Sequence, residues 1–172
     1  MIPDIKKILY ATDLSDNSAY ALRYAINSAI KHDAGIVILH VFEMITTTNR
    51  FALELYLDGD IRKKIFNERV TESIDRIRKR LKILCGKEFD GDTKYADRVE
   101  SIEVCEGFPA DEILKKADQF SCEAIVMGTH GKGLITHAFL GSTAKRVLRR
   151  TRKPVFIIPL PRGETDITFH DL

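Results

Sequence analysis

Hydrophobic positions along this chain follow two periods that take turns. Five short apolar runs stand out, several of them almost continuously apolar and rich in Ile and Val: residues 5–11, 36–42, 99–105, 124–127 and 155–158. Runs of this length and composition read as strands covered on both faces, as in a parallel sheet. Between them apolar residues recur at steps of three and four. Residues 15–31 place Leu22, Ala25, Ile26 and Ala29 on one face, with Ser15 or Asp16 positioned as the N-cap. A longer helix, from about residue 53 to 84, carries Ile61, Ile65, Val70, Ile74, Ile77, Leu81 and Leu84 against a face of Arg, Lys and Glu. Pro109 opens a helix through about Asp118, with Asp111 and Glu112 in the first turn, where the helix dipole favours negative charge. The last helix covers residues 142–150.

Strand and helix thus alternate throughout, which predicts a doubly wound α/β domain with right-handed crossovers. Three stretches fit neither period. Residues 43–53, containing Thr46, Thr47 and Thr48, read as a connection or lid. Residues 86–98, with Gly91 and four acidic residues, read as a solvated loop. Residues 162–172 follow Pro159 and Pro161 and read as a tail. The expected organisation is one domain over residues 1–160 and a C-terminal tail over 161–172. No internal repeat is visible.

Composition narrows the function classes. The chain has 172 residues, 44% of them hydrophobic and 30% charged, in keeping with a globular protein that buries a substantial core. Basic and acidic residues number 27 and 25, a net charge of +2, so bulk electrostatics supply no reason to expect nucleic acid or membrane binding. The basic run Lys145, Arg146, Arg149, Arg150, Arg152 and Lys153 lacks interleaved aromatics and lies toward a helix C-terminus, where cations belong; it reads as a solvated face. Cys85, Cys105 and Cys122 are odd in number and widely spaced, which suits reduced thiols better than a disulfide framework or a zinc site. No apolar run approaches the roughly 20 residues of a membrane helix, and the N-terminus shows no cleavable signal. A cytoplasmic protein is the expectation.

The chemistry concentrates after the fourth strand. Gly128-Thr129-His130-Gly131 leaves the apolar run, nine residues follow, and Gly141-Ser142-Thr143 opens the last helix. Glycines let the main chain approach an anion, and a helix start adds unpaired N–H donors with the positive end of a dipole, so this loop is suited to phosphates. The alternative is a set of turn glycines without a ligand. Two commoner phosphate loops do not fit. Counting a Walker A pattern from Gly128 puts Leu134 where Lys is required after Gly133, and a G-x-G-x-x-G from Gly131 meets Thr136 in place of its third glycine. Ser142 and Thr143 offer hydroxyls and N–H groups to phosphate, and Ser142 is also a natural N-cap. Lys132 reads equally as a phosphate neutraliser or a solvated lysine. His130 reads as a phosphate donor or a general base, but no orienting partner can be named. Asp13, acceptor-only when ionised, suits the hydroxyls of a ribose, or else caps a turn. His32, His40, His137 and His170 show no metal-ligand spacing, so no protein-only metal site is expected.

The spacing Gly128-x-x-Gly131, nine residues, Gly141-Ser142 resembles the nucleotide-binding signature of the universal stress protein family, in its ATP-binding branch. The resemblance extends to Tyr10-Ala11-Thr12-Asp13-Leu14-Ser15, to Gly107-Phe108-Pro109-Ala110-Asp111-Glu112-Ile113, and to Lys153-Pro154-Val155-Phe156-Ile157-Ile158-Pro159. It implies a five-stranded parallel sheet in the order 3-2-1-4-5 with helices on both faces, and a ligand crevice where that order reverses. It further implies ATP, with a divalent cation riding on the phosphates. Asp13 would contact ribose or adenine, Gly128, Gly131 and Gly141 would bring main chain against ribose and phosphates, and Val41 and Met127 would flank the base or pack in the core. Homodimerisation through the last strand is implied as well. The resulting expectation is a nucleotide-dependent switch or binding module, at most a slow ATPase, acting on a protein partner the sequence does not name. Two other classes stay open: an adenine-nucleotide hydrolase or adenylating enzyme of the related fold, and a ligand-free dimeric interaction protein. Adenylating relatives carry a Ser-Gly-Gly-type loop after the first strand, where this chain has Thr12-Asp13-Leu14-Ser15.

Overall fold

In the computed structural model, which describes residues 4–43, 58–88, 93–129 and 140–160, strand β1 (Lys7–Thr12) lies at the centre of the sheet. It pairs in parallel with β2 (Gly35–Glu43) on one side and β4 (Ala124–Gly128) on the other. Beyond these lie β3 (Val99–Gly107) and β5 (Val155–Ile158), giving five parallel strands in the order β3-β2-β1-β4-β5. The expected fold class and strand order are both present.

The near-continuous apolar runs are explained by two cores, one on each face. Ile8 and Tyr10, Ile36 and Ile38, and Ala124 and Val126 point to one side, where α1 (Asp16–His32) and α2 (Gly59–Glu88) cover them with Leu22, Ala25, Ile26, Ala29, Ile77 and Leu81. Leu9 and Ala11, Val37 and Leu39, and Ile125 and Met127 point to the other side. There α3 (Pro109–Gln119) and α4 (Ser142–Arg150) supply Ala110, Ile113, Ala117, Ala144 and Val147. Residues i and i+2 of a strand share a face, so a central strand covered on both sides sends successive apolar residues to alternate cores and shows no polar face. Each fully buried Ile, Leu or Val here contributes about 1.5–3 kcal/mol.

Local signals set the helix ends. Ser15 caps α1, its Oγ accepting from the Ser18 N–H at 3.3 Å. The helix stops at Asp33, which takes a left-handed φ of 53° and carries an ion pair from Arg98 at 2.5 Å. Pro109 stands at the first position of α3, where its missing N–H costs nothing.

Two expectations need correction. Residues 86–98 are not a loop throughout: α2 continues to Glu88, and Thr93–Arg98 forms a 3-10 helix whose Tyr95 packs on the first core. The apolar stripe of α2 is also only half used. Ile77 and Leu81 are buried, whereas Ile61 and Ile65 remain exposed. The proposed lid beyond Glu43 and the tail lie outside the described residues. Among the described residues, no helix is long and apolar enough to cross a membrane, and no group of three His, Cys, Asp or Glu could hold a metal ion.

Candidate functional site

The crevice follows from strand lengths and connections. β1 stops at Thr12, opposite His40, while Val41, Phe42 and Glu43 of β2 run on and pair only with β3. On the other side Ala11 pairs with Met127, and Gly128 pairs only with Ile158 of β5. The chain leaves β1 toward the α1 face and enters α4 on the opposite face. The strand order therefore reverses at the end of β1, between the overhanging ends of β2 and β4. Ligands of open α/β sheets bind at this kind of switch point, and the region is called the crevice below.

Its floor is the turn from β1 into α1, which is densely bonded. Asp13 Oδ1 accepts from the Ser15 N–H at 3.0 Å and from Ser15 Oγ at 2.5 Å. Leu14 takes a left-handed φ of 64°, a conformation that a residue with a Cβ adopts at a cost of about 1–2 kcal/mol. Three contacts hold it there. The Leu14 N–H donates to Thr12 Oγ1 at 3.1 Å, its carbonyl accepts from Arg80 Nη2 at 2.6 Å, and its side chain is buried in the first core. His40, also buried, donates from Nδ1 to the Thr12 carbonyl at 2.8 Å and so ties β2 to the same turn. Beneath lies Tyr10, whose hydroxyl donates to the Ser18 carbonyl. Burial pushes the Tyr10 phenol up to about 12, against its bond with Thr12 and the Arg80 cation, which favour ionisation.

The β4 side begins at Gly128. A Cβ there would stand 2.5 Å from Asn17 Oδ1, so the bare face of this glycine is filled by the first turn of α1. Asn17 Nδ2 donates to the Ile158 carbonyl at 3.4 Å, and Thr129 Oγ1 donates to Asn17 Oδ1 at 3.4 Å. The chain that leaves at Thr129 returns beside it, because the Gly141 N–H donates to the Thr129 carbonyl at 2.8 Å. Gly141 is the N-cap of α4 and has no side chain to cap with; Ser142 is the first helical residue and not the cap. Among the described residues, the start of α4 is accordingly left without a side-chain acceptor. This is the arrangement that favours an external anion.

The candidate residues therefore divide. Asp13, Val41, Met127 and Gly128 stand at the carboxyl ends of β1, β2 and β4, and Gly141, Ser142 and Thr143 are tied to the last of these through Thr129. His130, Gly131 and Lys132 lie outside the described residues. Met127 is a core residue, only 6% exposed and packed on the α3/α4 face, so its side chain has little surface left for a base. Val41 is half-buried at the edge of the same core. Asn17 and Arg80 were missed by sequence reasoning. Each looked like an ordinary helix position, and only the fold carries them to the crevice. A concavity of about 620 Å³ elsewhere is lined by Asp60, Lys63, Lys64, Asn67, Glu68, Thr71 and Glu72. All of these belong to one helix, and among the described residues no second element converges on it.

The two described thiols, Cys105 and Cys122, are poor nucleophiles. Burial pushes Cys122 up to about 11, and burial together with the neighbouring Glu112 carboxylate raises Cys105.

A sequence model described as the universal stress protein family matches residues 4–159. The universal stress protein YxiE of Bacillus subtilis is 31% identical over 153 residues, covering 88% of this chain and 97% of its own. The solved structure of MJ0577, a universal stress protein of Methanocaldococcus jannaschii, superposes with a TM-score of 0.71 at 22% identity, covering 94% of this chain and all of that one. A universal stress protein from Archaeoglobus fulgidus, solved in complex with dAMP, superposes with a TM-score of 0.52 at 20% identity, covering 92% of this chain and 99% of that one.

Proposed function

The chain belongs to the universal stress protein family, and from that premise we propose that it binds ATP in the crevice above β1 and acts as a nucleotide-dependent switch or binding module. One observation carries the reading. The α4 N-terminus, with no side-chain cap among the described residues, is fastened beside the end of β4 by the Gly141–Thr129 hydrogen bond, at the point where the strand order reverses. The phosphates would lie against the N–H groups of residues 141–143, and the glycine spacing of the sequence assigns Gly131, His130 and Lys132 to the same phosphates. The dAMP complex of the Archaeoglobus relative supports an adenine nucleotide. Asp13 would take the ribose hydroxyls, because its Oδ1 is committed to Ser15 and its second oxygen has no partner among the described residues. Val41 would flank the base, and Met127 would contribute main chain more than side chain.

A divalent cation would be held by phosphate oxygens and water, since the described residues contain no cluster of ligands. Hydrolysis, where it occurs, would be slow. ATP alters output only by favouring one conformation over another, so a protein partner must read that difference. The family resemblance also supports a cytoplasmic homodimer formed across β5.

The test is direct. Freshly purified protein is denatured, and released nucleotide is identified by mass spectrometry; ATP titration of stripped protein follows. Adenine nucleotide in the released fraction and saturable ATP binding are expected. Gly131→Glu should abolish binding in a folded domain, through side-chain bulk and phosphate repulsion. Absence of both bound nucleotide and titratable affinity would overturn the reading. A turnover rate raised strongly by a specific acceptor would replace the switch with an enzyme.

A further inference from the structure

Arg80 joins α2 to the turn between β1 and α1. It is 5% exposed, lies deep in α2, and sends Nη2 to the Leu14 carbonyl at 2.6 Å. A hydrogen bond from a charged donor at this distance is a strong restraint on the carbonyl that accepts it. Leu14 is the residue with positive φ in the turn that carries Asp13. Its neighbours in the turn bond one another: Leu14 N–H to Thr12 Oγ1, and Ser15 N–H and Oγ to Asp13 Oδ1. The Leu14 carbonyl and the Ser15 N–H belong to one planar peptide, so fixing the carbonyl fixes the N–H that holds the Asp13 carboxylate.

The same helix also touches the other wall. Arg69 lies over the Phe42 ring, 5.1 Å from its centre, and Phe66 packs edge-on to Phe42 at 6.2 Å. Phe42 in turn packs against His40, which holds the Thr12 carbonyl. α2 is therefore bonded to the floor of the crevice and packed against its β2 side.

We propose that Arg80 is a positioning residue for nucleotide binding: through its hydrogen bond to the Leu14 carbonyl it holds the strained turn that aims Asp13 at the ribose hydroxyls. This rests on the ATP reading above, and in particular on Asp13 as the sugar contact. It makes α2 the element through which a change elsewhere in the molecule reaches the sugar.

The experiment compares ATP with 2′,3′-dideoxy-ATP, which lacks those hydroxyls. Wild-type protein is expected to prefer ATP about tenfold, the value of a hydrogen bond to a charged group. In Arg80→Met the preference should collapse toward one, with affinity for the dideoxy nucleotide changed less than about threefold. Arg80→Lys, which keeps a cationic donor, should restore part of it. An unchanged preference in a folded Arg80→Met protein overturns the inference and leaves the ATP site standing. Equal affinities in the wild type overturn the assignment of Asp13 and the inference with it. A second measurement needs neither nucleotide nor a stable Met variant. In ligand-free Arg80→Lys, hydrogen exchange at the Ser15 amide should rise severalfold, while the Ile125 amide, bonded to the Pro154 carbonyl, stays protected. Unaltered exchange at Ser15 would equally overturn the inference.

Discussion

At Gly128 an added Cβ would meet Asn17 Oδ1 at 2.5 Å and Cγ at 3.0 Å, while the Asn17 main chain stays at an ordinary 3.4 Å. The obstacle is the end of one side chain. Gly128→Ala is therefore expected to cost about 1–3 kcal/mol by displacing the Asn17 amide from Ile158 and Thr129. In an Asn17→Ala background the same change should cost much less, and chemical denaturation of the four proteins in the cycle measures the coupling. Additive losses would mean that the glycine is required for some other reason. The glycine itself was legible in the sequence, but its partner was not, because Asn17 lies 111 positions away and only the pairing of β1 with β4 brings them together. A second residue-scale prediction concerns alkali. Burial holds the Cys122 thiol and the Tyr10 phenol protonated in the folded state, with values near 11 and 12 against ordinary values of 9.0 and 10.0. Both contributions are complete below the unfolded values. As pH rises the unfolded chain ionises first, so stability falls from about pH 9 onward and is lost through about pH 12. Urea midpoints measured from pH 8 to 11 should decline, and Cys122→Ala should flatten the first part of the fall.

Helix α1 and helix α4 begin on either side of the crevice, yet their first turns are finished differently. Ser15 Oγ accepts from the Ser18 N–H and donates to Asp13, so α1 is capped from within the chain. α4 starts at a glycine that offers no side chain. Ser15→Ala should lower the unfolding free energy by about 1 kcal/mol, as loss of an N-cap does. By freeing Asp13 it should also weaken ATP binding; calorimetric titration alongside thermal unfolding separates the two effects, and an affinity unchanged by the substitution would count against Asp13 as a ligand. The elements themselves were largely legible. Apolar runs without a polar face predicted strands covered on both sides, and α1, α3 and α4 fall within a residue of the expected bounds. Periodicity was misleading where it continued beyond the sheet. Ile61 and Ile65 keep the helical step, but they belong to the part of α2 before Ser73, and burial begins in earnest only there. Residues 93–98 failed in the opposite way: a run of polar residues reads as loop, yet Tyr95 alone is enough to seat a 3-10 turn on the core. Which helix bears on the crevice was not legible at all, since the Arg80 contact to Leu14 spans 66 positions.

The order of the strands came from family resemblance rather than from the apolar pattern, and it has a consequence for the whole molecule because it leaves two edges. They are not equivalent. β3 carries Glu100, Glu103 and Glu106 along its length, with Lys7 and Lys116 paired to the first two. Charges on an edge strand discourage another strand from adding to it. β5 is Val155-Phe156-Ile157-Ile158, with no charge, and Phe156 and Leu160 beside it are exposed at 38% and 41%. An apolar strand with open main-chain groups is stable in water only when something covers it, and a second copy related by a two-fold axis presents the same strand in return. The proposed homodimer therefore belongs at β5 and not at β3. Phe156→Glu places a charge at the centre of that edge while leaving both cores intact, since Phe156 is in neither. Sedimentation equilibrium should find a dimer for the wild type and a monomer for Phe156→Glu, with unchanged circular dichroism. Glu103→Gln, on the opposite edge, should remain dimeric. A wild-type protein that sediments as a monomer at micromolar concentration, or a Phe156→Glu protein that stays dimeric, would place the contact elsewhere. In a dimer joined there, Ile158 and its bond from Asn17 would link the interface to Gly128 and the crevice. Dimerisation and nucleotide binding would then be coupled, and by linkage the coupling must run both ways: with one site per subunit, saturating ATP should tighten the wild-type dimer by the square of the factor by which Phe156→Glu weakens ATP at each site.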